Sequence, residues 1–159
     1  MKKFLTYGQT LCSLLAISLM PLASQAAESK PCPYTEAYLS EQLGVTLKVV
    51  TQMPGLLGPA CEYADAKRSL KIAVDAGRNP APSAEAWRKM SNPPGTKWKA
   101  IAGDPDKAVI LEASPNMELQ PSLSYEHKTW LVQINVMGIK ANEVAKWNEK
   151  LLKLKRLPE

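Results

Sequence analysis

Histidine is almost missing from this chain, and His127 is the only one. A Ser-His-Asp triad would have to be built on that residue. No Gly-x-Ser-x-Gly segment marks a nucleophile elbow either. Phenylalanine is equally scarce: the single one is Phe4, near the N-terminus. Cysteine is limited to Cys12, Cys32 and Cys61. No apolar run approaches the roughly 20 residues that a membrane-spanning helix needs. Internal repeats and low-complexity segments are absent, and no strongly basic cluster of the kind that tracks nucleic acid appears outside the C-terminus.

What the chain does have begins at its N-terminus. Lys2 and Lys3 precede the apolar run Leu11 to Met20, and Pro21 leads into Ala23-Ser24-Gln25-Ala26-Ala27. Positive charge, apolar stretch and small residues, in that order, predict a secretory signal peptide over 1–26. Cleavage after Ala26 puts Ser24 and Ala26 at the two small-residue positions; the alternative is an uncleaved anchor. Neither Cys12 nor Cys32 stands in a lipobox, which argues against a lipid anchor. The exported part, 27–159, suits one domain with one core. It has no phenylalanine, and loss of Lys2 and Lys3 lowers the net charge of +5 by two. The expected location is the periplasm or the medium.

Cys32 and Cys61 remain after cleavage, an even pair in an oxidising compartment, and predict a disulfide. With a single histidine in the chain, two cysteines this far apart make a poor zinc site. The expectation is no metal and no cofactor.

Thr35 can cap a helix over 36–43 that Gly44 ends, with Tyr38 and Leu39 as the buried pair. Val45 to Val49 alternates as a strand. The segment 53–60, with two prolines and two glycines, reads as irregular. Cys61-Glu62-Tyr63 opens a second strand and Leu70, Ile72, Val74 and Ala76 form one face of a third. Gly77 to Pro82 reads as a loop. Ser83 caps a helix to about Met90 with Trp87 on its buried side. Further strands are expected at 108–111, 123–125 and 130–136, with a short extended piece near Trp98 and a turn at Ser114-Pro115-Asn116. Asn142 is the expected cap of a last helix whose Val144, Trp147, Leu151 and Leu154 form an apolar stripe. The predicted class is α+β, order αβββαβββα, with helices packed on an antiparallel sheet of about five or six strands.

Several residue groups invite a functional reading beside a plain one. His127 lies in Glu126-His127-Lys128, which reads as an exposed hairpin turn. Asp104 and Asp106 flank Pro105 and read as a turn before a cation site, since calcium takes six or more oxygens. The basic stretch 150–156 could touch an anionic membrane, but solvated lysines near a helix C-terminus are the plainer account. Trp87, Trp98, Trp130 and Trp147 either build the aromatic core or line a groove. Trp98 is the best groove candidate, because it follows Pro93-Pro94-Gly95 and is flanked by Lys97 and Lys99. Leu56 and Leu57, at the tip of the proline-glycine loop, either fold back on the core or form an exposed contact site.

The early cysteine, the helix ending Leu43-Gly44, Cys61-Glu62-Tyr63 entering a strand, and a final strand leading into a Trp147-bearing helix are together similar to small secreted bacterial α+β proteins. That class includes lipoproteins of unknown function with a PsbP-like sandwich. The resemblance spans about 32–155 and departs in the missing lipobox. It implies binding or regulation and supplies no catalytic residues. The sequence thus leads to an exported, non-catalytic binding, inhibitory or immunity-type protein. Its expected partner is an envelope or secreted protein or a small ligand, with no nucleic acid and no stable membrane insertion. The alternatives are an envelope factor touching membrane through its basic C-terminal helix, and a hydrolase with a carboxylate site.

Overall fold

Thr35 starts the first helix, α1 (Glu36–Leu43), its hydroxyl accepting the Tyr38 backbone N–H at 3.2 Å. Gly44 ends α1 in the left-handed conformation at φ 66°. The buried pair is Leu39 and Leu43, one turn apart, rather than Tyr38 and Leu39, because Tyr38 stays half-buried beneath the C-terminal tail. The computed structural model describes residues 31–115 and 120–158. The predicted signal segment 1–26 and Asn116 of the predicted turn lie outside the described residues.

Seven strands follow: β1 (Lys48–Pro54), β2 (Pro59–Ala64), β3 (Lys71–Arg78), β4 (Lys97–Ala100), β5 (Val109–Ala113), β6 (Ser122–His127) and β7 (Trp130–Met137). Two further helices are α2 (Ala84–Ser91) and α3 (Val144–Leu152). All strands join one antiparallel sheet in the order β1-β2-β3-β7-β6-β5-β4. After the β1-β2-β3 meander the chain crosses through α2 to the far edge. It then returns by β4, β5 and β6 until β7 closes against β3.

The α+β class stands, but the strand count of five or six is corrected to seven and the element order to αβββαββββα. The added strand is β4, whose single half-buried side chain, Trp98, leaves no alternation to read. Two neighbouring boundaries move as well. β1 starts at Lys48 and runs on through Met53 and Pro54, which an edge strand tolerates. β3 continues through Gly77 to Arg78. Gly77 is there because the Gly55–Gly58 loop crosses over it: a Cβ at that position would lie 1.7 Å from the Leu57 carbonyl oxygen.

The two sheet faces differ. Tyr63, Ile72, Val74, Ala76, Leu123, Tyr125, Val132, Ile134 and Val136 form an apolar face, covered by α1 and α3. Trp147, Leu151 and Leu154 of the predicted stripe are buried in it, and Val144 is buried beside them. Asn142 is not the cap of this last helix. It sits in a 3-10 turn, Ala141–Glu143, and the Glu143 carboxylate accepts the Lys140 backbone N–H at 3.2 Å instead. The Cys32–Cys61 disulfide is present, with Cα atoms 5.8 Å apart, and ties the lead segment to β2.

Tyrosines knit the lead and the tail to this face. The Tyr63 hydroxyl donates to the Tyr34 carbonyl at 2.6 Å, and the Tyr34 hydroxyl donates to the Lys155 carbonyl at 2.7 Å. The Tyr125 hydroxyl accepts the Leu157 N–H at 3.0 Å, and the Tyr38 hydroxyl accepts the Lys155 N–H at 2.7 Å. Burial raises the pKa of Tyr34 and of Tyr125, and pushes that of Tyr63 up to about 12.

Candidate functional site

The opposite face of the sheet carries Ser122, Ser124, Gln133, Asn135 and Asp75 by register, and among the described residues α2 and the Gly55–Gly58 loop pack on it. Ser83 starts α2 by accepting the Ala86 N–H at 3.1 Å. Trp87 then drops onto Leu131 and Leu57, the small core of this side. Leu57 is therefore folded back, whereas its neighbour Leu56 is 78 % exposed. Beneath the same loop, burial raises the Asp75 carboxyl pKa, while the backbone N–H groups of Leu57, Leu56 and Gly58 pull it back down.

One residue past Trp87, Arg88 turns along the sheet toward β6. Its Nη1 lies 3.5 Å from the Ser124 hydroxyl, a bond at the long limit of hydrogen-bond geometry. Burial lowers the Arg88 pKa, and Glu85 and Glu126 partly oppose that shift. Asn92 ends α2 by returning to the Arg88 carbonyl through both its backbone N–H, at 3.2 Å, and its side-chain amide, at 2.9 Å. Pro93 and Pro94 cannot continue the helix. Thr96 closes a turn on the Pro93 carbonyl, its hydroxyl at 2.7 Å, and Gly95 takes φ 89°. That turn delivers the chain to β4.

Between α2, this turn and the β4–β5 edge lies an open groove of about 350 Å³. Trp98, Ala100 and Val109 form its sheet side, Pro93 and Pro94 one wall, and Arg88 and Lys89 the helix wall. Glu85 also lines it and is bonded to Lys89 at 2.8 Å, which holds its carboxyl below the usual range. Register puts Trp98, Val109 and Ser124 on the same face, so the indole and the Arg88 guanidinium share one concavity. Chemically it offers an apolar plane, the Arg88 guanidinium and a lysine paired with Glu85, a set suited to a ligand with a flat or apolar body and negative charge.

Of the residues singled out in sequence, Trp98 lines this groove. Lys97 and Lys99 flank it on the same strand, both exposed, without lining it. Leu56 and Leu57 belong to the separate loop over β3. Pro93 and Pro94, which pointed to Trp98, are themselves one wall, whereas Arg88 and Lys89 were not foreseen. A helical wheel anchored on buried Trp87 places Arg88 a hundred degrees round at the sheet margin, which is the signal that could have found it.

A second polar cluster lies across the sheet from the groove. Arg156 reaches Asp104 Oδ2 at 2.5 Å and Asp106 Oδ2 at 3.4 Å, and its guanidinium lies 4.4 Å from the Tyr125 ring centre. His127 is not an exposed turn residue: it is half-buried, with Nδ1 2.8 Å from Asp106 Oδ1. Facing a carboxylate, that ring nitrogen is the donor. Asp104 Oδ1 also takes the Asp106 and Ala108 backbone N–H groups at 2.9 and 3.2 Å. The cluster fastens the C-terminal tail to the 104–106 turn. The basic C-terminus is likewise not a solvated face throughout: Lys150 donates to the Leu43 carbonyl, where α1 ends, and lies over the Trp147 ring, and Lys155 lies over Tyr38.

The molecule is thus a disulfide-linked α+β protein with a seven-stranded antiparallel sheet, apolar and helix-covered on one face and grooved on the other. No family model, curated protein or solved structure matches the chain. Among the described residues no helix is long and apolar enough to cross a membrane.

Proposed function

We propose that this is an exported binding protein of inhibitory or immunity type, acting in the periplasm or the medium without catalysis, and that the Trp98 groove holds its ligand or partner. The observation that carries this reading is the groove itself. A half-buried Arg88 with one long bond sits beside a half-buried indole and two proline rings, an arrangement that leaves cationic and apolar surface ready for an occupant. The disulfide supports an oxidising destination, and the likeness to small secreted α+β proteins of PsbP-like type points to binding. Membrane contact through 144–156 is the weaker reading, because Lys150, Lys155 and Arg156 are engaged within the protein.

The test uses purified 27–159 as bait in an envelope extract, with Trp98→Ala beside it. A stoichiometric partner held by the parent chain and lost by the variant is the expected result. Capture by lipid vesicles alone, or turnover of a carbohydrate or peptide panel, would overturn the reading.

A further inference from the structure

The two edges of the sheet are treated differently. β1 is closed to a further strand. Glu36 Oε1 accepts the outward Val49 backbone N–H at 2.8 Å, and Oε2 holds Lys48 at 2.9 Å. Its pairing slips between Val49 and Thr51, and Pro54 at its end has no N–H to offer. β4 has no such cover: among the described residues no side chain bonds to its backbone. Its pairing with β5 slips between Lys97 and Trp98 and is regular over Trp98-Lys99-Ala100.

Charge around β4 is mainly positive. Lys97 and Lys99 stand exposed on the strand, and Arg88 and Lys89 line the groove beside it. Among the described residues the carboxylates beside it are Glu85, bonded to Lys89, and Glu112 on β5. Lysines on a bare edge repel a second copy of the same edge, a common guard against self-pairing. Against an acidic strand the same lysines attract, and the backbone groups they leave uncovered supply the pairing.

We propose that β4 receives an extended acidic segment of a partner protein as an eighth strand of this sheet. Its carboxylates face Lys97 and Lys99, and an apolar side chain between them rests on Trp98 in the groove. The proposal rests on the groove being the binding site and adds the class of partner. Since side chains alternate along a strand, the segment it selects has acidic residues at every second position with an apolar or aromatic residue between.

The test is an array of blocked peptides of about ten residues, Glu alternating with each apolar residue, against 27–159. Lys-for-Glu versions serve as controls, and Trp98 emission and backbone amide shifts are the readouts. The expected result is saturable binding of acidic members only, with shifts centred on 98–100, weakening as salt rises. Lys97→Glu with Lys99→Glu, both on exposed positions and checked by an unchanged melting temperature, should cost about tenfold or more and transfer preference to the basic peptides. N-methylation of the peptide at alternate positions should abolish binding in one of its two registers and spare it in the other. Equal binding of acidic and basic peptides, or indifference to N-methylation in both registers, overturns strand addition. If no array member binds while the envelope partner remains Trp98-dependent, this proposal fails and the groove reading stands. If neither binds, both fail.

Discussion

The two faces of the sheet are made from different material. The face under α1 and α3 is continuous in aliphatic side chains and tyrosine rings, and each tyrosine hydroxyl there ends on a backbone group or another tyrosine. The face under α2 is serine, glutamine, asparagine and aspartate at its centre, with Trp87, Leu57 and Leu131 as its one hydrophobic cluster among the described residues and Val109 and Leu111 buried toward the β4 edge. A closed apolar face stabilises, because its burial scales with area. A polar face with one short helix on it contributes less and keeps concave surface free. Damage to the first face should therefore appear as lost stability, and damage to the second as lost binding.

The largest effect falls on the first face. Trp147→Ala removes a buried aromatic between α3 and the sheet and should cost about 3–5 kcal/mol in denaturant unfolding. A change below about 1 kcal/mol would mean that α3 is not what closes this face. Next comes the bridge: Cys32→Ala with Cys61→Ala opens a closed loop with 29 residues of separation and should cost about 3.5 kcal/mol. Intact mass of the parent chain should fall by two hydrogens relative to reduced protein. Free thiol at both positions in exported material would break the argument for an oxidising compartment as well.

The tyrosine network makes the same face sensitive to alkali. Burial raises the folded-state pKa of Tyr34, Tyr63 and Tyr125, so the native protein keeps protons that the unfolded chain releases from pH 10.0 upward. Their contribution is complete below pH 10.0 and is lost as pH rises toward about 12, the folded value for Tyr63. Each tyrosine withholding its proton should lower stability by up to about 1.4 kcal/mol per pH unit in that window. Melting temperature from pH 9 to 12 checks it, and Tyr63→Phe should flatten the decline. A level profile would show that these hydroxyls ionise without hindrance.

The first face was also the legible one. Thr35, Gly44, the Leu70-Ile72-Val74-Ala76 alternation and the 144–154 stripe each announce themselves over one or two turns, because capping chemistry and periodicity are local. The cysteine pair was readable from compartment and count. The grooved side was only partly readable. Trp98 stood out by its proline-glycine lead and flanking lysines, but β4 is four residues long with no alternation. Arg88 acquires its role only when α2 crosses to β6. The His127–Asp106 contact joins residues 21 apart, and Arg156–Asp104 residues 52 apart, so neither pairing leaves a local signature. Tertiary contacts of that range decide which charges are solvated, which is why Lys150, Lys155 and Arg156 read as a wet face and are not one.

The smallest stability effect, and the sharpest contrast, belongs to Trp98. It is half-buried at the sheet margin, with open groove on one side. Trp98→Ala should therefore cost about 1 kcal/mol or less in unfolding, well under the Trp147 value, since truncation there leaves no closed cavity. The same substitution should remove binding, because a central aromatic carries a large share of an interface's energy. Lys99→Ala should leave stability within about 0.5 kcal/mol, as exposed substitutions do, and should slow association more than it speeds dissociation. Unfolding titrations and association kinetics on the two variants separate these outcomes. If Trp98→Ala unfolded the protein as readily as Trp147→Ala, the groove would be a seam of the core, and the division between a stabilising face and a binding face would collapse.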